Sequence, residues 1–222
     1  MNSKVLKWIA IITMTIDHIG FYLIPESLPY FIMRAIGRIA YPLFAFMVAE
    51  GYHHTHDVKG YLIRLLIGAF VMEAIVVGFY FATGTNMILT INVFIPLAFG
   101  LLALILFNLP QWYYKLLIIP ILVFAAVFKT SYGVYGILTI LIFGILQRKF
   151  DRLLAFLIMS LFLQPWPIAF SIPASYLQWF AVLAFIPIFL YNGKLGRFNK
   201  WFFYLYYPLH LAIILAIQIL LT

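Results

Sequence analysis

Residues 13–22, TMTIDHIGFY, are apolar enough to lie in a bilayer, yet they carry Asp17 and His18 side by side at their centre. A charged side chain at the middle of the hydrocarbon costs on the order of 3 kcal/mol or more, so a chain that keeps one there has a reason for it. Lys4 and Lys7 precede the apolar run, as in a signal peptide, but Thr13, Thr15, Asp17 and His18 interrupt it and no small-x-small cleavage site follows. The segment reads as a retained first helix.

The rest of the chain has the same character. It is 66% hydrophobic, 19% aromatic and 9% charged over 222 residues, whereas a soluble domain carries about a quarter charged residues to cover its surface. This composition implies an all-α, multi-pass membrane protein. Lys and Arg outnumber Asp and Glu by 14 to 6, but the excess lies in short clusters between apolar runs, which suits phospholipid head groups and topology and excludes nucleic acid as a partner. The absence of cysteine removes disulfides, thiolate metal sites and a cysteine nucleophile.

A spanning helix needs roughly 20 apolar residues. Punctuation by Pro, Gly and charge divides the chain into nine candidate spans, about 5–24, 29–50, 60–82, 87–108, 112–128, 131–147, 150–170, 175–191 and 201–221, with the sixth and eighth short. With a cytoplasmic N-terminus, eleven of the fourteen basic residues fall on the cytoplasmic side, from Lys4 and Lys7 to Lys194, Arg197 and Lys200. Only Arg34, Arg38 and Lys129 fall toward the other side, a positive-inside bias that puts the C-terminus outside. No internal repeat or linker is visible, so residues 1–222 read as one domain.

Three groups of polar residues need explanation. His18 lies thirteen residues into the first span, roughly 20 Å from the cytoplasmic surface, and Arg38, entering from the opposite side, lies roughly 13 Å deep. Arg34 and Arg38 are four apart and share a helical face, and Glu73 in VMEAIVV reaches a similar level from the third span. Adjacent early spans would bring a histidine, two arginines and two carboxylates into one plane, either as a site or as a structural ion pair fixing helix packing. Because successive helical residues point about 100° apart, Asp17 and His18 need not bond each other, and Glu73 is an equal candidate to orient His18. The second group, AEGYHHTHDVKGYLIRL, carries Glu50, His53, His54, His56, Asp57, Lys59 and Arg64 toward the cytoplasm. Its spacing matches no strong metal signature, and a cationic mouth for a phosphorylated ligand fits better than a metal. The third, WFFYLYYPLHL, places Tyr207 and His210 on one face with Pro208 between them, as an aromatic belt or as part of a site.

The stretches KWIAIITMTIDHIG, GRIAYPLFAFMVAEGYHHTHDVKGYLIRL, INVF, SYGVYGILTILIF and LYNGKLGRFNKWFFYLYYPLHL, in this order, resemble the TraX family, named for the acetyltransferase that modifies conjugative F-type pilin. The arrangement is also similar to integral-membrane acyltransferases in which a basic residue, ten intervening residues and a histidine occur in the first helix, here Lys7 and His18. The resemblance implies a bacterial cytoplasmic-membrane enzyme that takes acetyl-CoA from the cytosol, uses a central histidine, needs no metal, and acylates an envelope acceptor such as a glycan, lipid, peptide or pilin. His18 is then the general base, with a transient acetyl-histidine as the less favoured route, and Asp17 or Glu73 holds its tautomer. Arg38 stabilises the oxyanion or holds an anionic part of the acceptor with Arg34 behind it. Lys7, His54, Lys59 and Arg64 line a coenzyme A entrance, and Tyr207 and His210 contact substrate. The rival expectations are a small-molecule transporter or flippase with an intramembrane Asp/His/Arg relay, although inverted repeats and paired broken helices are not visible, and an assembly partner without chemistry.

Overall fold

The structure is a computed structural model and describes residues 1–83, 92–128, 130–164, 174–196 and 200–221. Helix α1 (Ser3–Leu23) starts where the Asn2 side chain accepts the Val5 N–H, satisfying one of the first-turn amides that lack a helical partner. Ile24 is extended, as a residue before proline prefers, and the helix stops there. Ser27 caps α2 (Leu28–Gly37), with Pro29 in its first turn, where a missing N–H costs nothing. A break at Arg38 and Ile39 separates α2 from α3 (Ala40–His54). Pro42 accounts for it: a proline has no N–H to give to the carbonyl four residues back, here that of Arg38, and its ring crowds that carbonyl.

Asp57 opens α4 (Val58–Thr83) by accepting the Gly60 N–H at 2.7 Å. The chain continues through α5 (Phe94–Asn108), a 3-10 segment (Trp112–Leu117) that runs into α6 (Ile118–Val127), α7 (Gly133–Ile145) and α8 (Lys149–Leu163). A second 3-10 segment (Ala174–Ala184) leads into α9 (Phe185–Leu190), and α10 (Lys200–Leu221) closes the series. Among the described residues there is no strand, and each of the nine expected spans coincides with a helical segment. Four segments are long and apolar enough to cross a membrane: Ser3–Leu23, Leu28–His54, Val58–Phe81 and Phe202–Leu221. The second span is interrupted rather than continuous, and the fifth and eighth begin as 3-10 helix. Residues 87–91 of the fourth expected span, 165–170 of the seventh, and the basic residues Lys129 and Arg197 lie outside the described residues.

The chain divides into two compact units, Met1–Met47 with Arg148–Thr222, and Val48–Gln147. In the first, α1 packs against α2 and α10, while the 174–184 segment packs against α2, α8 and α9. Two glycines let α1 and α2 close up: a Cβ at Gly37 would coincide with the Asp17 side chain, and one at Gly20 would lie 2.9 Å from the Met33 Cβ. Leu6, Tyr41, Phe46, Phe156 and Ile188 are fully buried in this unit. Its first residues are stitched to the segment before α10. The Ser3 N–H donates to the Lys194 carbonyl at 3.0 Å and the Gly196 N–H to the Ser3 hydroxyl at 3.0 Å. Nearby, the Lys149 ammonium closes the end of α9 by donating to the carbonyls of Phe189 at 2.8 Å and Tyr191 at 2.6 Å.

In the second unit α5 packs against α4 and α7, with α6 on α7. Gly144 sits against the Leu104 side chain and Gly100 against that of Ile140, so small residues again mark the close approach. The Asn92 amide, just before α5, donates to the Ala69 carbonyl at 2.7 Å and to the Glu73 carboxylate at 3.2 Å, tying α5 to α4. Ile63, Leu66, Ile67 and Phe70 form an exposed apolar stripe on α4 with the i, i+3, i+4, i+7 spacing of one helical face, the surface a lipid-facing helix presents.

Candidate functional site

The α1–α2 hairpin brings Asp17 opposite Arg34 and Arg38. Arg38 Nη2 donates to both carboxylate oxygens, at 2.8 and 2.7 Å, and Arg34 Nη1 lies 2.7 Å from Oδ1. The side chains of Asp17, Arg34 and Arg38 are only 10%, 15% and 14% exposed, so the pairing is shielded from water and charge-assisted. Arg38 is held further by its own backbone turn, with Nε donating to the Arg34 carbonyl at 3.2 Å. Its Nη1 donates to Gln178 Oε1 of the 174–184 segment at a long 3.5 Å. The Arg34 guanidinium lies 4.7 Å from the Phe21 ring centre, a cation–π contact from the same hairpin. Both arginines therefore converge on one carboxylate.

On the same helix, His18 faces α10. Its Nδ1 is 2.8 Å from His210 Nε2, and the two rings are nearly parallel at 9° with centres 5.0 Å apart, an edge-to-edge imidazole pair. The tautomers follow from the outer partner. His210 Nδ1–H donates to the Tyr206 carbonyl at 2.9 Å, which leaves the Nε2 of a neutral His210 as an acceptor. His18 Nδ1–H must then donate to it, and His18 Nε2 keeps its lone pair. His210 also stacks on the Tyr206 ring, with centres 5.0 Å apart, and Tyr207 stands edge-on to His18 at 6.0 Å and to His210 at 5.3 Å. The pair is braced once more across α1 and α10. The Thr15 hydroxyl donates to the Ile11 carbonyl at 2.8 Å, so the Tyr206 hydroxyl, 2.8 Å away, donates to Thr15. His18 itself is half-buried.

Lys7 lies eleven residues before His18, three helical turns and roughly 16 Å away on the same face. Its ammonium sits 5.7 Å from the Phe203 ring of α10.

A model of the family described as "TraX protein" matches residues 2–218. The chain belongs to the TraX family. Over 243 aligned residues it is 29% identical to "Probable fimbrial assembly protein FimC, serogroup H1" of Dichelobacter nodosus, covering 97% of this chain and 95% of that protein. It is 51% identical over 51 residues to "Uncharacterized protein RP591" of Rickettsia prowazekii (strain Madrid E), which is 23% of this chain and 19% of that protein. No solved structure matches.

Of the residues singled out from the sequence of this TraX-family chain, the structure brings together Asp17, Arg34 and Arg38, and separately His18, Tyr207 and His210. The carboxylate behind the imidazole is the main difference. Asp17 gives its oxygens to the two guanidiniums, and the ring nitrogen of His18 goes to His210. Glu73 belongs to the second unit, with Asn92 as a partner. His54, Lys59 and Arg64 also lie there: His54 Nδ1–H donates to the Glu50 carbonyl at 2.8 Å, Lys59 is exposed, and Arg64 pairs loosely with the exposed Asp57 at 3.4 Å. His53 Nε2–H donates to the Gly144 carbonyl at 2.9 Å. Among the described residues no three His, Cys, Asp or Glu side chains gather as metal ligands would.

Gln178, Thr15 and Tyr22 were not singled out as site residues, and Tyr206 was weighed only with the aromatic belt. Thr15 left a trace, since 15 and 18 are one helical turn apart, and so did Tyr206, which stood with Tyr207 and His210 as a candidate aromatic belt. Gln178 lies in a 3-10 segment whose facing no 3.6-residue period predicts.

Proposed function

We propose that this chain is an integral-membrane acyltransferase that moves an acetyl group from cytosolic acetyl-CoA to a hydroxyl or amine of an envelope acceptor. The observation that carries the reading is the imidazole pair: His210, fixed by the Tyr206 carbonyl, leaves the His18 Nε2 lone pair directed away from α10 as a base. In the reaction, Nε2 takes the proton of the acceptor hydroxyl or amine as its oxygen or nitrogen attacks the thioester carbonyl. The Arg38 guanidinium offsets the charge that builds on the carbonyl oxygen, the C–S bond breaks, and the coenzyme A thiolate leaves with the proton from Nε2. His210 acts through His18, accepting its Nδ1–H and sharing the positive charge while it lasts, the part a carboxylate plays in hydrolase triads.

Lys7 supports the donor half of the reading. Three turns along the same face from His18, it stands where the phosphates of coenzyme A would lie if an extended pantetheine arm ran along α1 toward the base. In the second unit His54, Lys59 and Arg64 are separate candidates for phosphate contacts. The proposed topology is nine spans in the bacterial cytoplasmic membrane, with the N-terminus cytoplasmic and the C-terminus outside. The fimbrial-assembly name of the Dichelobacter nodosus relative makes a fimbrial subunit the first acceptor to try.

The test is turnover of radiolabelled acetyl-CoA by the purified full chain in nanodiscs. Slow hydrolysis, or transfer to an added fimbrial subunit, is expected in the wild type, with about a 10²–10⁴-fold loss in His18→Asn. Unchanged turnover in a folded His18→Asn protein would remove the assignment. Mass spectrometry of envelope components from cells with and without the gene then identifies the acceptor.

A further inference from the structure

Three buried donors around the Asp17 cluster find no acceptor among the described residues: Arg34 Nε, the Gln178 amide nitrogen and the Tyr22 hydroxyl. Native structures nearly always pair such groups, so a set of orphans in one cluster asks what is meant to pair them. The orientation of Gln178 is fixed by chemistry, because only its carbonyl oxygen can face the donating Arg38 Nη1, and its NH2 is left over. Tyr22 is itself buried, stands edge-on to His18 at 6.3 Å, and feels the charges of both Arg34 and Asp17. Asp17 supplies one negative charge for two guanidiniums, and among the described residues Arg34 has no other carboxylate within ion-pair distance. Among the described residues three donors are therefore left without an acceptor, one of them on the Arg34 guanidinium, whose carboxylate partner is shared with Arg38.

The position of these groups gives a direction of approach. Tyr22 is the penultimate residue of α1, and Arg34 lies six residues into α2, roughly 9 Å from its start. Tyr22 and Arg34 thus lie toward the α1–α2 connection, at the end of α1 remote from Lys7, with Gln178 behind them at Arg38. The geometry points to a receptor for a singly charged oxyanion, a carboxylate or a phosphodiester on the acyl acceptor, held by Arg34, Tyr22 and Gln178 and entered from the α1–α2 connection. Its assignment to the acceptor rests on the acyl-transfer reading; the anion site itself does not. An acceptor anchored there would present its nucleophile to His18 from one end of the helix while the donor thioester arrives from the other.

Thermal unfolding of the purified full chain in dodecylmaltoside, without acetyl-CoA and at constant ionic strength, tests the site with three probes: propionate, dimethyl phosphate and the neutral propionamide. A saturable rise with one or both anions and none with propionamide is expected. Saturation by propionate alone marks a carboxylate-bearing acceptor, and by dimethyl phosphate alone a phosphodiester. Tyr22→Phe, which removes a hydroxyl without a protein partner, should leave the unliganded melting temperature in place and weaken anion half-saturation roughly tenfold, the size of one lost charge-assisted hydrogen bond. An equal rise with propionamide, no saturation with either anion, or unchanged half-saturation in Tyr22→Phe overturns the proposal. Anion binding by a wild-type protein that neither hydrolyses nor transfers acetyl from acetyl-CoA would keep the site and remove the acyl-transfer reading; His18-dependent turnover without anion binding would do the reverse.

Discussion

His18 Nδ1 and His210 Nε2 lie 2.8 Å apart across 192 positions of sequence, and the Tyr206 carbonyl behind them decides which nitrogen of His18 is free. Removing the second imidazole while keeping its bulk isolates this role. His210→Phe retains a ring to stack on Tyr206 but cannot accept the His18 proton. Initial rates with acetyl-CoA should fall about 10²-fold. The double variant with His18→Asn should be no slower than His18→Asn alone, because the two residues act as one unit.

Tyr206→Phe separates the carbonyl of Tyr206 from its hydroxyl. The backbone bond to His210 survives and only the bond to Thr15 is lost. The expected cost is about 1 kcal/mol of stability, read as a lower melting temperature, with turnover reduced less than tenfold. A loss as large as that of His210→Phe would mean that the hydroxyl, not the tautomer, controls the base.

Asp17→Asn leaves two shielded guanidiniums facing a neutral amide. Breaking a buried ion pair from one side is expected to cost about 3–5 kcal/mol, measured by thermal unfolding in detergent. Removing one of the cations as well, in Asp17→Asn with Arg34→Gln, should recover part of that loss, since the penalty lies in the unpaired charge.

At Gly37 the Asp17 side chain occupies the space a Cβ would take. Gly37→Ala must push α1 and α2 apart or swing the carboxylate off Arg38, at about 1–3 kcal/mol. Gly78→Ala is the matched control, because nothing lies near a Cβ at that position.

Alkaline phosphatase and green fluorescent protein fused after residue 222 report the side of the C-terminus. The nine-span topology expects an active phosphatase and a dark fluorescent protein there, and the opposite result at a fusion after Asn192, within the basic segment before α10.

The all-helical, membrane-suited architecture could be read from the chain because the hydrocarbon demands long apolar runs; four segments are long and apolar enough to cross a membrane, and the remaining expected spans overlap shorter helices. The Arg34–Arg38 pair was legible for a similar reason: a spacing of four fixes a shared face, and a hairpin fixes the neighbouring helix. His18 and His210 were each visible as anomalies, but nothing local encodes that α10 packs on α1, so their bond was not. Asp17 and Glu73 were equal candidates to orient His18, with an ion pair to arginine as the alternative for the carboxylate; two guanidiniums take Asp17, and the ring nitrogen goes to His210. The interruption at Arg38 was not expected within the 29–50 span, although Pro42, which has no N–H for the Arg38 carbonyl, accounts for it.

The stitching of Ser3 to Lys194 and Gly196, and of α1 to α10, also sets a timetable. The two imidazoles lie 192 positions apart, so a chain still being synthesised holds His18 well before His210. The orientation of the proposed base is therefore set only once α10 has been made and has packed on α1.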